Sequence, residues 1–237
     1  MNQGLHIIIA RYKEDLSWLK DIKIHENHKV TVYNKFEGSN LLPNVGRESH
    51  TYIHHILKDY IDPADHYMFL QGNPLDHESP KGIIKKVVEN YDDYKHLDYV
   101  SLTKELVKDL NGLPASLRQG FPIGYLYEQV FGEGSSPEIF EFAQGACFVV
   151  KGSLIKNLSI QQWKILYDYT SRSVDTIEAW CLERMWKTLF LGKSEKTYKD
   201  VIYDKYPPGY LELLKNSKKI PMLSPWANSL GYNHLKY

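Results

Sequence analysis

Residues 44–48, with the sequence NVGRE, have the composition of a phosphate-binding helix start. The apolar spacing of a helix begins directly after them, and the amide groups at a helix N-terminus attract anions. Gly46 permits a close approach of the backbone, and the forked guanidinium of Arg47 matches a phosphate. The alternative is an ordinary cap with surface charges. The chain has neither a G-x-G-x-x-G nor a G-x-x-x-x-G-K-[ST] loop, so nucleotide binding through those motifs is not supported.

Residues 71–78, with the sequence QGNPLDHE, follow the apolar run YMFL at 67–70, which is typical of a strand buried on both faces. Carboxylate and amide oxygens are preferred ligands of Mg²⁺ and Mn²⁺, and such a cation bridges the phosphates of a diphosphate. We therefore expect Asp76, His77 and Glu78 to be candidate ligands of Mn²⁺ or Mg²⁺. The same carboxylates equally suit the cap of the next helix.

Four polar side chains come directly after the first apolar run of the chain, LHIIIA: Arg11, Tyr12, Glu14 and Asp15. A tyrosine stacks on a nucleobase, and carboxylates accept hydrogen bonds from base and ribose groups. The alternative is a solvated turn, in which Asp15 lies near the N-cap of the helix that carries Trp18.

Three carboxylates on or near a predicted late helix are candidates for a general base that deprotonates a hydroxyl: Asp175, Glu178 and Glu183. Asp175 and Glu178 are three residues apart and share a helix face. Glu183 is followed by Arg184, so it also suits a structural ion pair. Gly145, just before a later strand, permits either backbone contact with a sugar or a tight entry into that strand.

Two histidines of the first long helix, His50 and His54, have the four-residue spacing of helical metal ligands. Together with His77 they allow a second class of function, a metal-dependent hydrolase. The H-E-x-x-H arrangement is absent, and both residues lie beside the apolar stripe of the helix, which favours a polar shell.

The apolar patterns predict alternating strands and helices. Strands are predicted at 5–10, 29–34, 67–70, 99–103 and 146–150, and helices beyond residue 16, from 46 to before 62, at 83–91 and at 175–190. Residues 104–136 are predicted to be irregular, as is a tail at 203–237. This order implies one α/β domain, 1–237, with a mostly parallel sheet, helices on both faces and ligands at the carboxyl ends of the strands.

Composition narrows the class of protein. The chain has 237 residues, of which 43% are hydrophobic, and its 29 basic and 29 acidic residues cancel, so nucleic acid is an unlikely partner. No apolar segment approaches the roughly 20 residues of a membrane span, and the first apolar run is too short for a signal peptide. Cys147 and Cys181 are isolated, which suits a reducing compartment. We therefore expect a cytoplasmic protein without a membrane span.

Six ordered blocks resemble an uncharacterised family with the approximate pattern ARYxEDxxWL, YNK, NxGRExxTYL, a strand ending in Q-G or H-G with a following histidine, a G-A-x-F strand and E-R-x-W. The blocks are ARYKEDLSWL (10–19), VYNK (32–35), LPNVGRESHTYIHHI (42–56), FLQGNPLDH (69–77), FAQGACFVV (142–150) and LERMW (182–186). They span most of the first 190 residues. That family is in turn similar to GT-A glycosyltransferases, including a glycosyltransferase domain encoded by large algal viruses.

The resemblance implies a GT-A-like, Rossmann-like domain that binds a nucleotide sugar. The binding residues that it implies, with those argued above, are Ala10, Arg11, Tyr12, Glu14, Asp15, Asn44, Gly46, Arg47, Gln71, Gly72 and Gly145. One feature departs from the GT-A pattern, because Gln71-Gly72-Asn73 stands where an Asp-x-Asp metal motif is expected and Asp76 and Glu78 follow downstream. The GT-A position of the base favours Asp175, whereas the E-R-x-W motif favours Glu183.

We therefore expect a glycosyltransferase that moves a sugar from a nucleoside-diphosphate sugar, in the first instance UDP-linked, to a hydroxyl of a glycan or protein-linked acceptor. A virus-encoded protein in the host cytoplasm fits the same resemblance. Two alternatives stay open: the metal-dependent hydrolase, and a non-catalytic sugar-binding or nucleotide-binding module that kept the fold and lost the base.

Overall fold

A five-stranded sheet forms the centre of the protein, for which the computed structural model describes residues 4–109 and 121–194. The strands are β1 (Leu5–Arg11), β2 (Lys29–Asn34), β3 (His66–Gln71), β4 (Tyr99–Ser101), β5 (Glu105–Asp109), β6 (Ile139–Ala143) and β7 (Phe148–Lys151). The helices are α1 (Arg47–Lys58), α2 (Ile83–Glu89), α3 (Ile123–Phe131), α4 (Gly152–Ile155), α5 (Ile160–Thr170) and α6 (Ile177–Leu191). Short 3₁₀ turns lie at Ser17–Asp21, Pro74–Asp76 and Tyr91–Asp93.

The strand order of the central sheet is β2-β1-β3-β7-β4. β1 is parallel to both of its neighbours, β2 and β3, and Ile7 lies opposite Val30 on one side and Met68 on the other. β7 is antiparallel to β3 and to β4, so four of the five strands run in one direction. The predicted α/β architecture with a mostly parallel sheet is confirmed.

The two inner strands are almost wholly apolar because both of their faces are buried. On one face, Ile8 and Phe69 belong to a core cluster with residues of α1, α3, α5 and α6. On the other face, Ile7 and Met68 pack in a second cluster that includes Val87 of α2. Alternate side chains of a strand point to opposite faces, so helices cover the sheet on both sides, as expected.

A second sheet is made of β5 and β6 alone, which pair antiparallel with Glu105 opposite Ala143. The prediction that residues 104–136 are irregular is therefore wrong in part, because this range contains β5 and α3. Its glycines and prolines hid both elements: β5 depends on a partner strand more than 30 residues away, and α3 is stabilised by burial of Leu126 in the main core. Residues 110–120 and the predicted tail at 203–237 lie outside the described residues.

The two long C-terminal helices have clear caps. α5 was not predicted, although Ser159 and Gln162 form the capping box that marks such a start in sequence. α6 begins two residues later than predicted, because the Thr176 side chain accepts a hydrogen bond from the amide of Ala179. In the part of the chain that is described, no helix has both the length and the apolar character needed to cross a membrane.

Candidate functional site

A cavity of about 430 Å³ opens at the carboxyl ends of β1, β2 and β3. Eight of the predicted site residues line it: Ala10, Arg11, Tyr12, Glu14, Asn44, Arg47, Gln71 and Asp175. Lys35, Glu48 and Val174 also line the cavity and were not predicted. The cavity brings together residues that lie up to 165 positions apart in the chain, from Ala10 to Asp175.

The position of the cavity follows from the strand order. From β1 the chain moves to β2 on one side, and from β2 it crosses to β3 on the other side of β1. The connections therefore leave the ends of β1 and β3 in opposite directions and open a crevice between them. Open α/β sheets bind ligands in the crevice at such a switch point.

The loop after β1 is fixed by hydrogen bonds within itself. Arg11 donates from Nε to the carbonyl of Glu14 over 2.9 Å and from Nη1 to Oδ1 of Asn34 over 3.0 Å. The Glu14 carboxylate accepts hydrogen bonds from the amides of Tyr12 (2.6 Å) and Lys13 (3.1 Å). These bonds hold the Arg11 guanidinium in one orientation beside the cavity.

Tyr12 forms the open rim of the cavity. Its side chain is 40% exposed and makes an edge contact with Phe36, at 5.6 Å between ring centres. The Lys13 ammonium lies over the Phe36 ring at 4.0 Å. Asp15, in contrast, does not line the cavity and accepts hydrogen bonds from the amide and hydroxyl of Ser17, as the solvated-turn alternative expects.

Gly72 joins the ends of β1 and β3. A Cβ at this position would lie 2.5 Å from Oε2 of Glu14, and the Gly72 carbonyl accepts a hydrogen bond from Nε1 of Trp18 over 3.0 Å. The absence of a side chain therefore lets the β1 loop pack against the end of β3. Gly72 supports the cavity wall and does not line it.

The turn before α1 has an unusual backbone. Gly46 and Arg47 both have positive φ, 58° and 51°, and the second is a strained conformation for a residue with a side chain. The Gly46 amide donates to the carbonyl of Ser173 over 2.8 Å, and the Arg47 amide donates to that of Val174 over 3.3 Å. A Cβ on Gly46 would clash with the carbonyl oxygen of Thr170.

The prediction that Gly46 lets the backbone approach a phosphate is therefore wrong. The glycine lets α1 approach the end of α5, and the amides of Gly46 and Arg47 bind the loop at 173–174. Those two amides are not directed to a phosphate. The cationic groups at this wall are the side chains of Arg47 and of Lys35.

Lys35 follows β2 directly and is buried, with 8% of its surface exposed. Its ammonium donates to the carbonyl of Val45 over 2.5 Å and to that of Arg47. Burial lowers the pKa of Lys35 to about 8, against the opposing attraction of Glu48. Burial also raises the pKa of Glu48. Lys35 was not predicted, and the signal that could have found it is a charged residue directly after a strand.

Arg47 and Asp175 form the outer wall. The Nη1 atom of Arg47 lies 3.5 Å from Oδ1 of Asp175, and its guanidinium carbon lies 4.1 Å from the ring centre of Trp180. Trp180 donates from Nε1 to the same Oδ1 atom over 2.9 Å. The side chains of Arg47 and Asp175 are 38% and 49% exposed, so a ligand in the cavity can reach both.

The other two candidates for a general base are buried outside the cavity. Glu178 lies 3.5 Å from Nη1 of Arg172. Glu183 accepts a hydrogen bond from the amide of Gly145 over 2.8 Å and one from Nη1 of Arg184 over 2.9 Å. Of the three candidate carboxylates, only Asp175 lines the cavity.

Gly145 packs against side chains of this chain. It has a φ of 74°, and a Cβ there would lie 3.1 Å from the ring of His77 and 3.3 Å from the side-chain amide of Gln71. The Gly145 amide donates to the Glu183 carboxylate, so this glycine permits a close approach of the protein's own side chains and not the predicted contact with a sugar. Gly145 therefore supports Gln71 at the cavity without lining it.

The predicted metal ligands have separate partners. Asp76 accepts a hydrogen bond from the side-chain amide of Asn73 over 2.6 Å, and Glu78 accepts one from the amide of Gly82 over 2.7 Å. Over residues 4–109 and 121–194, no group of three or more His, Cys, Asp or Glu side chains is placed to hold a metal ion. A common Mn²⁺ or Mg²⁺ site at Asp76, His77 and Glu78 stays a prediction.

The histidines of α1 lie away from such a site as well. His50 is 1% exposed and packs against the ring of Tyr167 at 4.7 Å, and its ring centre is 6.4 Å from that of His54. His50 is thus a core residue and does not belong to the polar shell expected for it. The metal-dependent hydrolase gains no support from this geometry.

Comparison with known proteins identifies the family. No curated protein and no solved structure matches the chain. A family model described as "Protein of unknown function (DUF3431)" matches residues 7–201. This range includes every residue that lines the cavity, and the match covers more than half of the sequence, so the chain belongs to the DUF3431 family.

Proposed function

We propose that this protein is a glycosyltransferase whose cavity binds a nucleoside-diphosphate sugar, UDP-linked in the first instance. The observation that carries the proposal is the position of three cationic side chains, Arg11, Lys35 and Arg47, around one cavity at the switch point of a mostly parallel sheet. Such a crevice is where α/β sheets bind nucleotides, and a diphosphate requires concentrated positive charge. A volume of about 430 Å³ lies in the usual range for small-molecule sites.

The walls of the cavity offer a different chemistry to each part of the donor. The exposed ring of Tyr12 suits a nucleobase, since aromatic rings stack on bases. The guanidinium groups of Arg11 and Arg47 suit the diphosphate. The amides of Asn44 and Gln71 suit sugar hydroxyls, because each amide both donates and accepts hydrogen bonds.

Asp175 is the candidate base. In the proposed reaction the acceptor hydroxyl oxygen bonds to the anomeric carbon, and the bond from that carbon to the β-phosphate oxygen breaks. The hydroxyl proton passes to Asp175, and the bonding electrons leave with the nucleoside diphosphate. Arg47 lies 3.5 Å from Asp175, so the group that binds the departing charge and the group that takes the proton are neighbours. The acceptor is a hydroxyl of a glycan or of a protein-linked sugar.

The binding-module alternative differs only in turnover. It shares the cavity and the cationic side chains, and it predicts that UDP binds while no donor is ever cleaved. The metal-dependent hydrolase predicts tight metal binding without nucleotide, together with loss of that metal when His50 and His54 are both replaced.

The test is calorimetric titration with UDP, in the presence and absence of Mn²⁺, with uridine as the ligand that lacks the diphosphate. We expect UDP to bind and uridine to bind far more weakly. Arg47→Ala should weaken UDP at least about tenfold, because a hydrogen bond to a charged group contributes about 1.5–3 kcal/mol. Release of UDP from a panel of UDP-sugars then distinguishes a transferase from a binding module.

Arg172 provides a matched control. Its guanidinium carbon lies 4.2 Å from the ring centre of Tyr169, and its Nη1 atom lies 3.5 Å from Glu178, which closely parallels the contacts of Arg47 with Trp180 and Asp175. It does not line the cavity. Arg172→Ala should therefore leave UDP affinity within about twofold. Absence of UDP binding at millimolar concentration, with and without Mn²⁺, would reject the proposed function.

A further inference from the structure

Among the described residues that line the cavity, Lys35 is the one lysine, and it is buried. An ammonium group has three N–H donors. Among the described residues, two of them are used by the carbonyls of Val45 and Arg47. The third N–H is left over by these two carbonyls, and Lys35 itself lines the cavity.

The two carbonyls hold the ammonium in place because the backbone around them is fixed from the other side. The amides of Gly46 and Arg47 donate to the carbonyls of Ser173 and Val174, so the turn cannot rotate without breaking these bonds. The Val45 carbonyl and the Gly46 amide belong to the same trans peptide, so the carbonyl that binds Lys35 and the amide that binds Ser173 point in opposite directions. The ammonium of Lys35, a residue that lines the cavity, is thereby held in a fixed position.

We propose that Lys35 binds a phosphate oxygen of the ligand directly, through the ammonium N–H that the two carbonyls leave. This inference rests on the proposed function, and it adds to that site a ligand-binding residue that was not predicted. The ligand class is a diphosphate, because Lys35, Arg47 and Arg11 line the same cavity and together supply the positive charge that a diphosphate requires.

The charges near Lys35 make this contact dependent on pH. On α1, the charge of Glu48 raises the pKa of Lys35 and the charge of Arg47 lowers it. The charge of Lys35 in turn lowers the pKa of His50 on the same helix. Arg11 and Glu14 from the β1 loop and Asp175 from the loop before α6 face the same cavity. Burial lowers the pKa of Lys35 to about 8, so at this pH about half of the molecules carry the ammonium. A bound phosphate requires the charged form.

The experiment measures UDP binding to the whole chain by calorimetry at pH 8 in two buffers of different ionisation enthalpy. We expect the wild type to take up about half a proton per UDP, since the bound form is fully protonated and the phosphates of UDP are already ionised. The dissociation constant should rise about tenfold from pH 7 to pH 9, where about a tenth of Lys35 is protonated.

Two variants separate direct contact from a structural role. Lys35→Arg keeps the positive charge at every pH of the experiment, so it should bind UDP without proton uptake and without the loss at pH 9. Lys35→Met keeps the length of the side chain but removes its charge, so it should weaken the binding of UDP at least tenfold at pH 7. Lys29→Met, at an exposed lysine of the strand that precedes Lys35, should leave affinity and proton uptake unchanged.

The outcomes are distinguishable from failure of the proposed function. Three outcomes would each overturn the inference while the function stands. The first is that folded Lys35→Met binds UDP as tightly as the wild type does, and the second is that Lys35→Arg takes up as many protons as the wild type. The third is that the UDP affinity of the wild type does not vary between pH 7 and pH 9. The last measurement decides even if neither variant folds. If the wild type does not bind UDP, the proposed function is rejected. The same titrations with pyrophosphate then test the phosphate contact of Lys35 independently of that function.

Discussion

The guanidinium of Arg47 lies 3.5 Å from the carboxylate of Asp175, although the two residues are 128 positions apart in the chain. Trp180 connects them, because its ring lies under the Arg47 guanidinium and its Nε1 atom donates to Asp175. The start of α1 and the loop before α6 are thus joined at the mouth of the cavity.

Asp175→Asn tests the candidate base. The amide cannot accept the acceptor proton but still accepts the hydrogen bond from Trp180, so binding should survive. We expect turnover of the donor to fall about 10²–10⁴-fold, the usual contribution of a general base, with UDP affinity within about threefold. Steady-state kinetics and calorimetry on the same sample measure both. Asp168→Asn, at an exposed site on α5, is the control, and unchanged turnover in Asp175→Asn would exclude this residue as the base.

Glu183→Gln should affect folding and leave binding intact. Glu183 accepts hydrogen bonds from the Gly145 amide and from Arg184, and it does not line the cavity. Loss of its charge leaves Arg184 with a weaker partner, so the free energy of unfolding should fall by about 1–3 kcal/mol. Urea unfolding measures this loss, and the exposed Glu133→Gln serves as control. A stable Glu183→Gln protein that has lost turnover would instead support the E-R-x-W motif as the source of the base.

Gly46→Ala should be strongly destabilising. The new Cβ meets the Thr170 carbonyl oxygen and must also adopt a φ of 58°, so we expect a loss of about 3 kcal/mol or more. Gly82 begins α2 with a φ of 78°, and a Cβ there meets nothing within 4 Å. Gly82→Ala therefore isolates the backbone cost, about 1–2 kcal/mol. Equal losses of unfolding free energy for the two variants would show that the contact with Thr170 contributes nothing.

Acid should destabilise the protein through its buried histidines. Burial, followed by the charges of Lys35 and His54, lowers the pKa of His50 to about 4, whereas an unfolded histidine has a pKa of about 6.5. Between these values the unfolded chain binds more protons than the folded one, so stability is present above about pH 6.5 and is lost as the pH falls toward 4. His50 alone should account for about 2 kcal/mol between pH 7 and pH 5.

The variant that checks this effect is His50→Phe. Urea unfolding at pH 7 and pH 5 should show a smaller loss in the variant than in the wild type. Some loss should persist, because burial also lowers the pKa of His55 to about 4. His96→Phe, at an exposed site, should keep the wild-type loss. The same loss in His50→Phe as in the wild type would contradict the role of His50.

Much of the sheet was predictable because burial on both faces leaves a strong pattern. The runs at 5–10, 29–34 and 67–70 correspond to β1, β2 and β3. β6 and α5 were not predicted, although the capping box of Ser159 was a usable signal for α5. β5 and α3 were predicted to be irregular, since their glycine-rich and proline-rich surroundings dominate the local pattern. Their stability comes from distant partners, which no local pattern contains.

The amino-acid sequence alone determined the α/β class, the parallel inner strands and the presence of Arg11, Tyr12, Arg47 and Gln71 at strand ends or at a helix start. These features follow from local apolar periodicity and residue chemistry. Only the tertiary structure decided which polar residues share a cavity. It brought Asp175 to Arg47, buried Glu178 and Glu183 elsewhere, and made Lys35 part of the wall. Burial and hydrogen-bond partners depend on contacts between residues far apart in the chain, which local sequence does not encode.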